Sequence, residues 1–238
     1  MHWEASSTIH HSWLVMRNFI QDLKPEIIVL GGDIFDFSYI SKFDIEYEEL
    51  REGRRFAKDF ELVNMQLDFL RQYASIKIVI LEGNHDFRLE QYIRRNPELR
   101  GLLDLTCPSA LDLDRKNIAF IREVDQPYKI GKLAFIHGWY WTVYHARKHL
   151  DEYSGNIIYF HTHSFQQHSR LIRSQDMPIS AWGIGCLCDK NPEYARGRTR
   201  HWENGCAVID IDEKNDFQVY PLRIINKKLM FNGSVWKL

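Results

Sequence analysis

The decapeptide KIVILEGNHD, residues 77–86, decides the fold. Ile78 to Leu81 form an unbroken apolar, largely β-branched run, which is how a strand covered on both faces reads. Gly83 then supplies a turn, and Asn84, His85 and Asp86 follow where the strand stops. Polar side chains at that place are candidates for chemistry, because the rigid sheet positions them while the loop leaves them accessible. The same arrangement recurs in IIVLGGDIFD (residues 27–36), KLAFIHG (132–138) and NIIYFHTH (156–163). Four apolar strands thus each end in a metal-capable side chain.

Working outward, Leu14, Met16, Phe19, Ile20 and Leu23 repeat with a helical period that Pro25 stops, and this helix feeds the strand at 27–30. Beyond Asp36, a polar loop containing Ser38, Ser41 and Asp44 leads to a long helix with Leu50, Phe56, Phe60, Val63, Leu67 and Leu70 on one face. Strand, helix and strand in succession predict a right-handed parallel crossover. After GNHD a helix runs to Arg95, stops before Pro97, and is followed by a short second helix to Leu105. The remainder predicts short strands at residues 118–121, 128–137, 157–160, 179–184, 206–211 and 217–225, with one helix at 140–153. Gly131, residues 212–216 and Asn232-Gly233 are the turn signals. The whole, residues 1–238, reads as a single α/β domain.

A chain of 238 residues that is 45% hydrophobic and 26% charged is long enough for one large core. Its formal net charge of -1 carries no global signature of nucleic-acid or anionic-membrane binding. Such binding requires a local patch. The segment 194–202 offers one, since Arg196, Arg198 and Arg200 share a face if it is extended, with Tyr194 and Trp202 at its ends. A solvated loop is the plainer alternative there. The four cysteines, Cys107, Cys186, Cys188 and Cys206, are irregularly spaced with no signal peptide before them, which predicts reduced thiols and a cytoplasmic location. The C-x-C of Cys186 and Cys188 suggests zinc, but no second close pair completes a tetrahedral set, so burial is the preferred reading. No apolar run approaches the ~20 residues of a membrane span, so a soluble protein with no membrane partner is expected.

The chemistry lies in the combined set. Asp33, Asn84, His137, His161 and His163 offer one carboxylate, one amide carbonyl and three imidazoles, a mixture that suits borderline divalent metals. A carboxylate such as Asp33 can bridge two cations ~3.5–4 Å apart. Singly, each piece has a plain structural reading: a turn for GGD, a cap for N-H-D, a surface pair for H-x-H, a hydrogen-bonded structural histidine for His137. Their joint occurrence, in order and each at a strand's end, favours a site.

GGDIFD, GNHD, His137 in IHG, and FHTH resemble the motif series of the calcineurin-like metallophosphoesterase superfamily over residues 1–210. The resemblance implies a four-layer α/β/β/α sandwich of two mixed β-sheets flanked by helices, with a dinuclear metal centre at the sheets' C-terminal edge. It implies two divalent ions, manganese first, with iron, zinc, nickel or magnesium as alternatives. On the matching positions Asp33 would bridge both, Asn84, His137 and His161 would complete one site, and His163 and His2 would serve the other. Two departures stand out. Phe160 replaces the usual glycine before His161, and the first motif, Asp-x-His, is represented by His2 alone, its aspartate falling one residue before Met1. The first central strand is thereby missing or truncated at the N-terminus. A late-assigned start, a shortened chain and a genuine loss that weakens one metal site are the three explanations, with Glu4, His10 and His11 as substitute ligands.

The implied activity is hydrolysis of a phosphodiester or phosphomonoester by a metal-activated hydroxide. His85 is the candidate general acid and Asp86 the group placed to orient it. Asp36 positions either the loop or His85. Arg88 and Arg198 are candidate grips on substrate phosphate, with a surface salt bridge as the plain alternative for Arg88. Trp139, Tyr140, Trp141 and Tyr144 form either a stacking wall for a base or part of the core. Nuclease and phosphatase activities both remain open, with nucleic acid as one possible substrate. The alternative class is a catalytically impaired metallophosphoesterase-like scaffold that binds metal or a partner without turnover.

Overall fold

The computed structural model describes residues 1–3, 5, 9–41, 51–101, 110–114, 116–122, 126–173, 177–192 and 201–238. It divides into two compact units: residues 1–9 with 20–122, and residues 10–19 with 123–238. Helix α1 (His11–Leu23) spans the division and gives a part to each.

The first unit is built on a three-stranded parallel sheet, β1 (Ile27–Leu30), β2 (Lys77–Leu81) and β3 (Ile118–Ile121), in that order. Val29 pairs with Val79 and Ile80 with Phe120, so the apolar runs lie side by side. Helix α2 (Phe56–Arg71) connects β1 and β2, burying Phe60, Val63, Leu67 and Leu70 on one face. It begins at Phe56 because Gly53 is left-handed (φ 71°) and Arg55 is extended; Leu50 lies outside the described residues. Helix α3 (Arg88–Arg95) ends before Pro97 as expected, and a single 3₁₀ turn at Pro97–Leu99 follows. The rest of the predicted second helix falls largely within residues 102–109, outside the described residues.

The loop after β1 is pinned by aromatic packing. Phe35 stacks on Phe37 with ring centroids 4.6 Å apart, Phe60 meets Phe35 edge-on at 5.0 Å, and the Tyr39 hydroxyl donates to buried Asp59 on α2 at 2.7 Å. Such pairs add to the area they bury. The loop therefore enters the site from a fixed base.

The second unit carries a five-stranded sheet in the order β4 (Tyr128–Ile130), β5 (Leu133–Phe135), β6 (Ile157–Tyr159), β8 (Ile179–Gly183), β7 (Gln166–Arg170). The central pairs are parallel and the two outer pairs antiparallel. This sheet is mixed as expected, whereas the sheet of the first unit is wholly parallel among its described strands. The predicted strand at 128–137 is two strands, because Gly131 (φ 55°) folds it into a hairpin. Helix α4 (His145–Tyr153) starts later than predicted. Trp139, Trp141 and Tyr144, upstream of it, are 53%, 80% and 73% exposed, which rules out the core reading for those three. Ala146 and Leu150 of α4 pack with Ile136, Ile157, Tyr159 and Ala181 in the core of this sheet.

Two hairpins complete the unit: β9 (Gly205–Ile211) with β10 (Phe217–Arg223), and β11 (Lys228–Phe231) with β12 (Ser234–Lys237). Val15 and Phe19 of α1 pack with Ile224 and Leu229, and the Trp236 ring lies 4.8 Å edge-on to Phe19. No helix among the described residues is long and apolar enough to cross a membrane.

This small core gives a contrast within one strand. Leu229 is fully buried and Met230 is 65% exposed. Leu229→Ala should cost about 2–5 kcal/mol, and Met230→Ala should stay within ~0.5 kcal/mol of the parent protein. Urea unfolding of both variants measures the difference.

Candidate functional site

Each unit holds its own set of donors. In the first, the chain leaves β1 through Gly32 (φ 91°) and Asp33 (φ 51°), and the left-handed pair turns the Asp33 carboxylate toward the end of β2. There Gly83 is required. A Cβ on it would overlap the Asp33 carboxylate and backbone nitrogen, so only glycine permits the approach. The His85 N–H then donates to Asp33 Oδ1 at 2.8 Å. His2 is tied to the same place, its N–H donating to the Asp33 carbonyl at 2.6 Å and Trp3 forming a parallel bridge with Phe35. Asn84 is half-buried in the same turn.

Asp36 is the hub of this set. Its Oδ1 accepts from His2 Nδ1 at 3.0 Å and from His85 Nδ1 at 2.9 Å. Burial works to raise the Asp36 pKa, but the hydrogen bonds and charges of the two histidines outweigh it and hold the carboxyl below its usual range. An ionised carboxylate only accepts, so both rings carry a proton on Nδ1 and turn Nε2 away from Asp36. Burial, the neighbouring His85 and the N-terminal charge lower His2 to about 4, against the pull of Asp36. His2 is thus a neutral imidazole with its Nε2 3.7 Å from Asp33 Oδ2, the donor chemistry a divalent metal needs.

The orienting carboxylate is therefore Asp36 rather than Asp86. Asp86 is turned inward, where its two oxygens accept the N–H groups of Phe35 at 3.0 Å and Gly83 at 2.8 Å. Burial and the neighbouring Asp33 charge push its pKa up to about 7, despite those two hydrogen bonds. Asp86 braces the two loops against each other. Arg88 reaches back over α3's first turn, donating to the Asp36 carbonyl at 2.8 Å and lying 2.9 Å from His85 Nε2.

In the second unit, the His137 carbonyl accepts the N–H groups of both Phe160 and His161 at 2.9 Å, which holds the ends of β5 and β6 together. Gly138 (φ 97°) makes this turn; a Cβ there would sit 2.9 Å from His149 Nε2. His137 Nε2 and His161 Nδ1 stand 3.2 Å apart. Two imidazole nitrogens on one metal at ~2.1 Å lie about 3.0 Å apart at a right angle and about 3.4 Å at the tetrahedral angle. The pair fits a shared ion. Phe160 needs no glycine-like backbone, because the left-handed residue of this turn is His163 (φ 54°), whose N–H bonds the Phe160 carbonyl at 3.0 Å. Arg198 lies outside the described residues, as does Glu4.

Behind this turn lies a buried polar network. His145 Nδ1 bonds the Tyr159 hydroxyl, His145 Nε2 bonds Ser164 Oγ at 3.1 Å, and His149 Nδ1 donates to the His145 carbonyl at 2.8 Å while its ring stacks on Tyr159. The i, i+4 spacing of the two histidines in one helix was the available signal for it. Burial lowers both to about 4; His145 and the site histidines His161 and His137 lower His149 further, against its backbone bond, and His201 lowers His145.

The calcineurin-like phosphoesterase family model matches residues 7–216, and the chain belongs to that family. It is also similar to the Gene 54 protein of Mycobacterium phage L5, with 24% identity over 241 residues that cover 92% of this chain and 90% of that protein.

The lowered histidines set a pH dependence of stability. Between an unfolded imidazole pKa of 6.5 and a folded value of about 4, the unfolded chain binds protons that the folded chain refuses, so stability falls as pH drops through that window. For fully buried His149 the loss reaches roughly 3 kcal/mol. Urea midpoints in chelator from about pH 7 to about pH 4.5 should fall less steeply for His149→Phe than for the parent.

Proposed function

We propose that the protein hydrolyses a phosphodiester or phosphomonoester with divalent metal ions held by Asp33, Asn84, His137, His161, His163 and His2. Membership of the calcineurin-like phosphoesterase family supports this reading. The observation that carries it is the locked, neutral His2 and the His85 ring on a single ionised Asp36, beside the buried Asp33 carboxylate. Bound divalent ions acidify water and neutralise the charge of a phosphoryl group. Manganese leads the candidates for a set made of carboxylate, amide and imidazole.

The chain's own residues supply orientation and a proton. Asp36 fixes the His85 ring through Nδ1 and so aims Nε2 outward. In the resting arrangement Arg88 shares its guanidinium between that nitrogen and the Asp36 carbonyl. A substrate phosphate draws Arg88 into a bidentate grip, and the released Nε2 takes up a proton that it delivers to the leaving oxygen. Asp86 holds the turn in place and does not touch His85 in this scheme.

Manganese-dependent turnover of a chromogenic diester and the matching monoester tests the reading. Asp33→Asn and Asn84→Ala should each lower kcat/KM by at least ~100-fold, and turnover unaffected by chelator would refute the proposal. The diester-to-monoester ratio then chooses the substrate class.

Exposed Trp139, Trp141 and Tyr144 lie on the segment between His137 and α4, which favours a substrate that carries a flat group such as a base. Trp141→Ala should raise KM for a nucleotide-bearing diester by roughly tenfold, in line with ~1–3 kcal/mol per stacked base. KM for a small aliphatic phosphoester should not change.

A further inference from the structure

In the second unit, the segment after β8 carries Cys186 and Cys188, and the turn after β6 carries His163. Both are tied to the same three residues, Glu203 to Gly205. The His163 carbonyl accepts the Glu203 N–H at 2.8 Å. Cys186 exchanges backbone hydrogen bonds with this segment, donating to the Glu203 carbonyl and accepting from the Gly205 N–H, each at 2.9 Å. Between them Asn204, only 3% exposed, spends its side-chain amide on the carbonyls of Cys188 at 2.8 Å and Cys186 at 3.4 Å. The Glu203 carboxylate is itself fixed by the Phe165 N–H at 3.0 Å and by Arg223 at 2.6 Å.

This frame places soft and borderline donors together. A ring nitrogen of His163 and Cys188 Sγ lie within 4.8 Å of each other, and the two residues are 6% and 7% exposed. His163 is held in the left-handed region (φ 54°) with its ring against Trp202 at 4.2 Å. Histidine is among the residues that adopt this region most readily, and here its own N–H on the Phe160 carbonyl and the Glu203 N–H on its carbonyl fix it there. Cys186, 5% exposed, has its thiol turned to the same frame, with Sγ 3.6 Å from the Glu203 carbonyl and accepting from the Asn204 amide at 3.6 Å. A cysteine that merely fills space needs neither a buried asparagine holding its carbonyl nor an imidazole beside its sulfur.

We propose that Cys188 is a metal ligand, binding a divalent cation through its thiolate alongside His163, with Asn204 and Cys186 holding the segment that presents the sulfur. Binding breaks the S–H bond, sends its proton to solvent and forms the sulfur–metal bond. The C-x-C signal in the sequence thus finds a histidine as partner, where a second cysteine pair was absent. Cys188 thus adds a ligand beyond the substitutes Glu4, His10 and His11 that the sequence offered. The proposal rests on the phosphoesterase reading only in taking His163 as a ligand. A thiolate shifts preference from manganese and magnesium toward zinc, iron(II) and cobalt(II).

Cobalt(II) added to the chelator-treated 238-residue chain provides the test. The parent and Cys186→Ser should develop a thiolate-to-cobalt charge-transfer band in the near ultraviolet. Cys188→Ser should lack it, and Cys188→Asp should bind cobalt without it, which separates loss of the ligand from loss of the fold. Zinc-over-manganese preference should drop in Cys188→Asp by at least the ~10-fold that even outer-shell partners are worth. A parent that binds no cobalt or shows no band, a band that persists in Cys188→Ser, or one lost only in Cys186→Ser overturns the assignment. Ester turnover on the same samples keeps the two readings apart. Turnover without the band removes the thiolate ligand alone, and the band without turnover in any metal removes the phosphoesterase proposal alone.

Discussion

The close approach of Gly83 to Asp33 is the contact on which the two loops of the first unit depend. Parallel pairing brings the ends of β1 and β2 side by side, but the carboxylate can lie against the second turn only where that turn lacks a Cβ. Once there, Asp33 takes the His85 N–H, Asp86 takes the N–H groups of Phe35 and Gly83, and each loop becomes part of the other's support. The arrangement concentrates three carboxylates, Asp33, Asp36 and Asp86, within one sheet end. Their electrostatic fates differ for that reason. Asp36 faces two histidines and stays ionised against the pull of its burial, whereas burial, and then the neighbouring Asp33 charge, push Asp86 toward the protonated form. Environment, not residue type, assigns the roles.

Much of this was legible in the sequence because buried parallel strands write themselves as apolar runs. The first unit's β1 and β3 match their predicted bounds, and β2 differs by one residue. Strand β7 left no such trace, since QQHSR lies at the edge of its sheet with most side chains toward solvent. β11 and β12 were missed for another reason. Their Asn232-Gly233 turn is plain, with φ values of 47° and 77°, but each flanking strand spans four residues and only Leu229 is fully buried.

The donors themselves were readable as residue types at strand ends, while the contacts among them were not. Whether Asp36 or Asp86 would meet His85 depends on the left-handed turns at Asp33 and Phe37; an aspartate visits that region often enough to be suspected, but a phenylalanine does not advertise it. Glu203 and Asn204 lie about 40 residues from His163, and nothing in their local sequence marks them as its support. Composition reveals a ligand; only the folded backbone reveals what holds it.

That distinction bears on metal choice. The first unit offers a carboxylate and a neutral imidazole, a hard to borderline pair that tolerates manganese or magnesium. The second offers imidazoles at His137 and His161 that converge to 3.2 Å, and an imidazole beside a thiol at His163 and Cys188. Ligand softness rises along that series. A single metal species would satisfy the whole set only if it were borderline itself, as zinc, iron(II) and cobalt(II) are, and magnesium, followed by manganese, is the poorest match to a thiolate among the candidates.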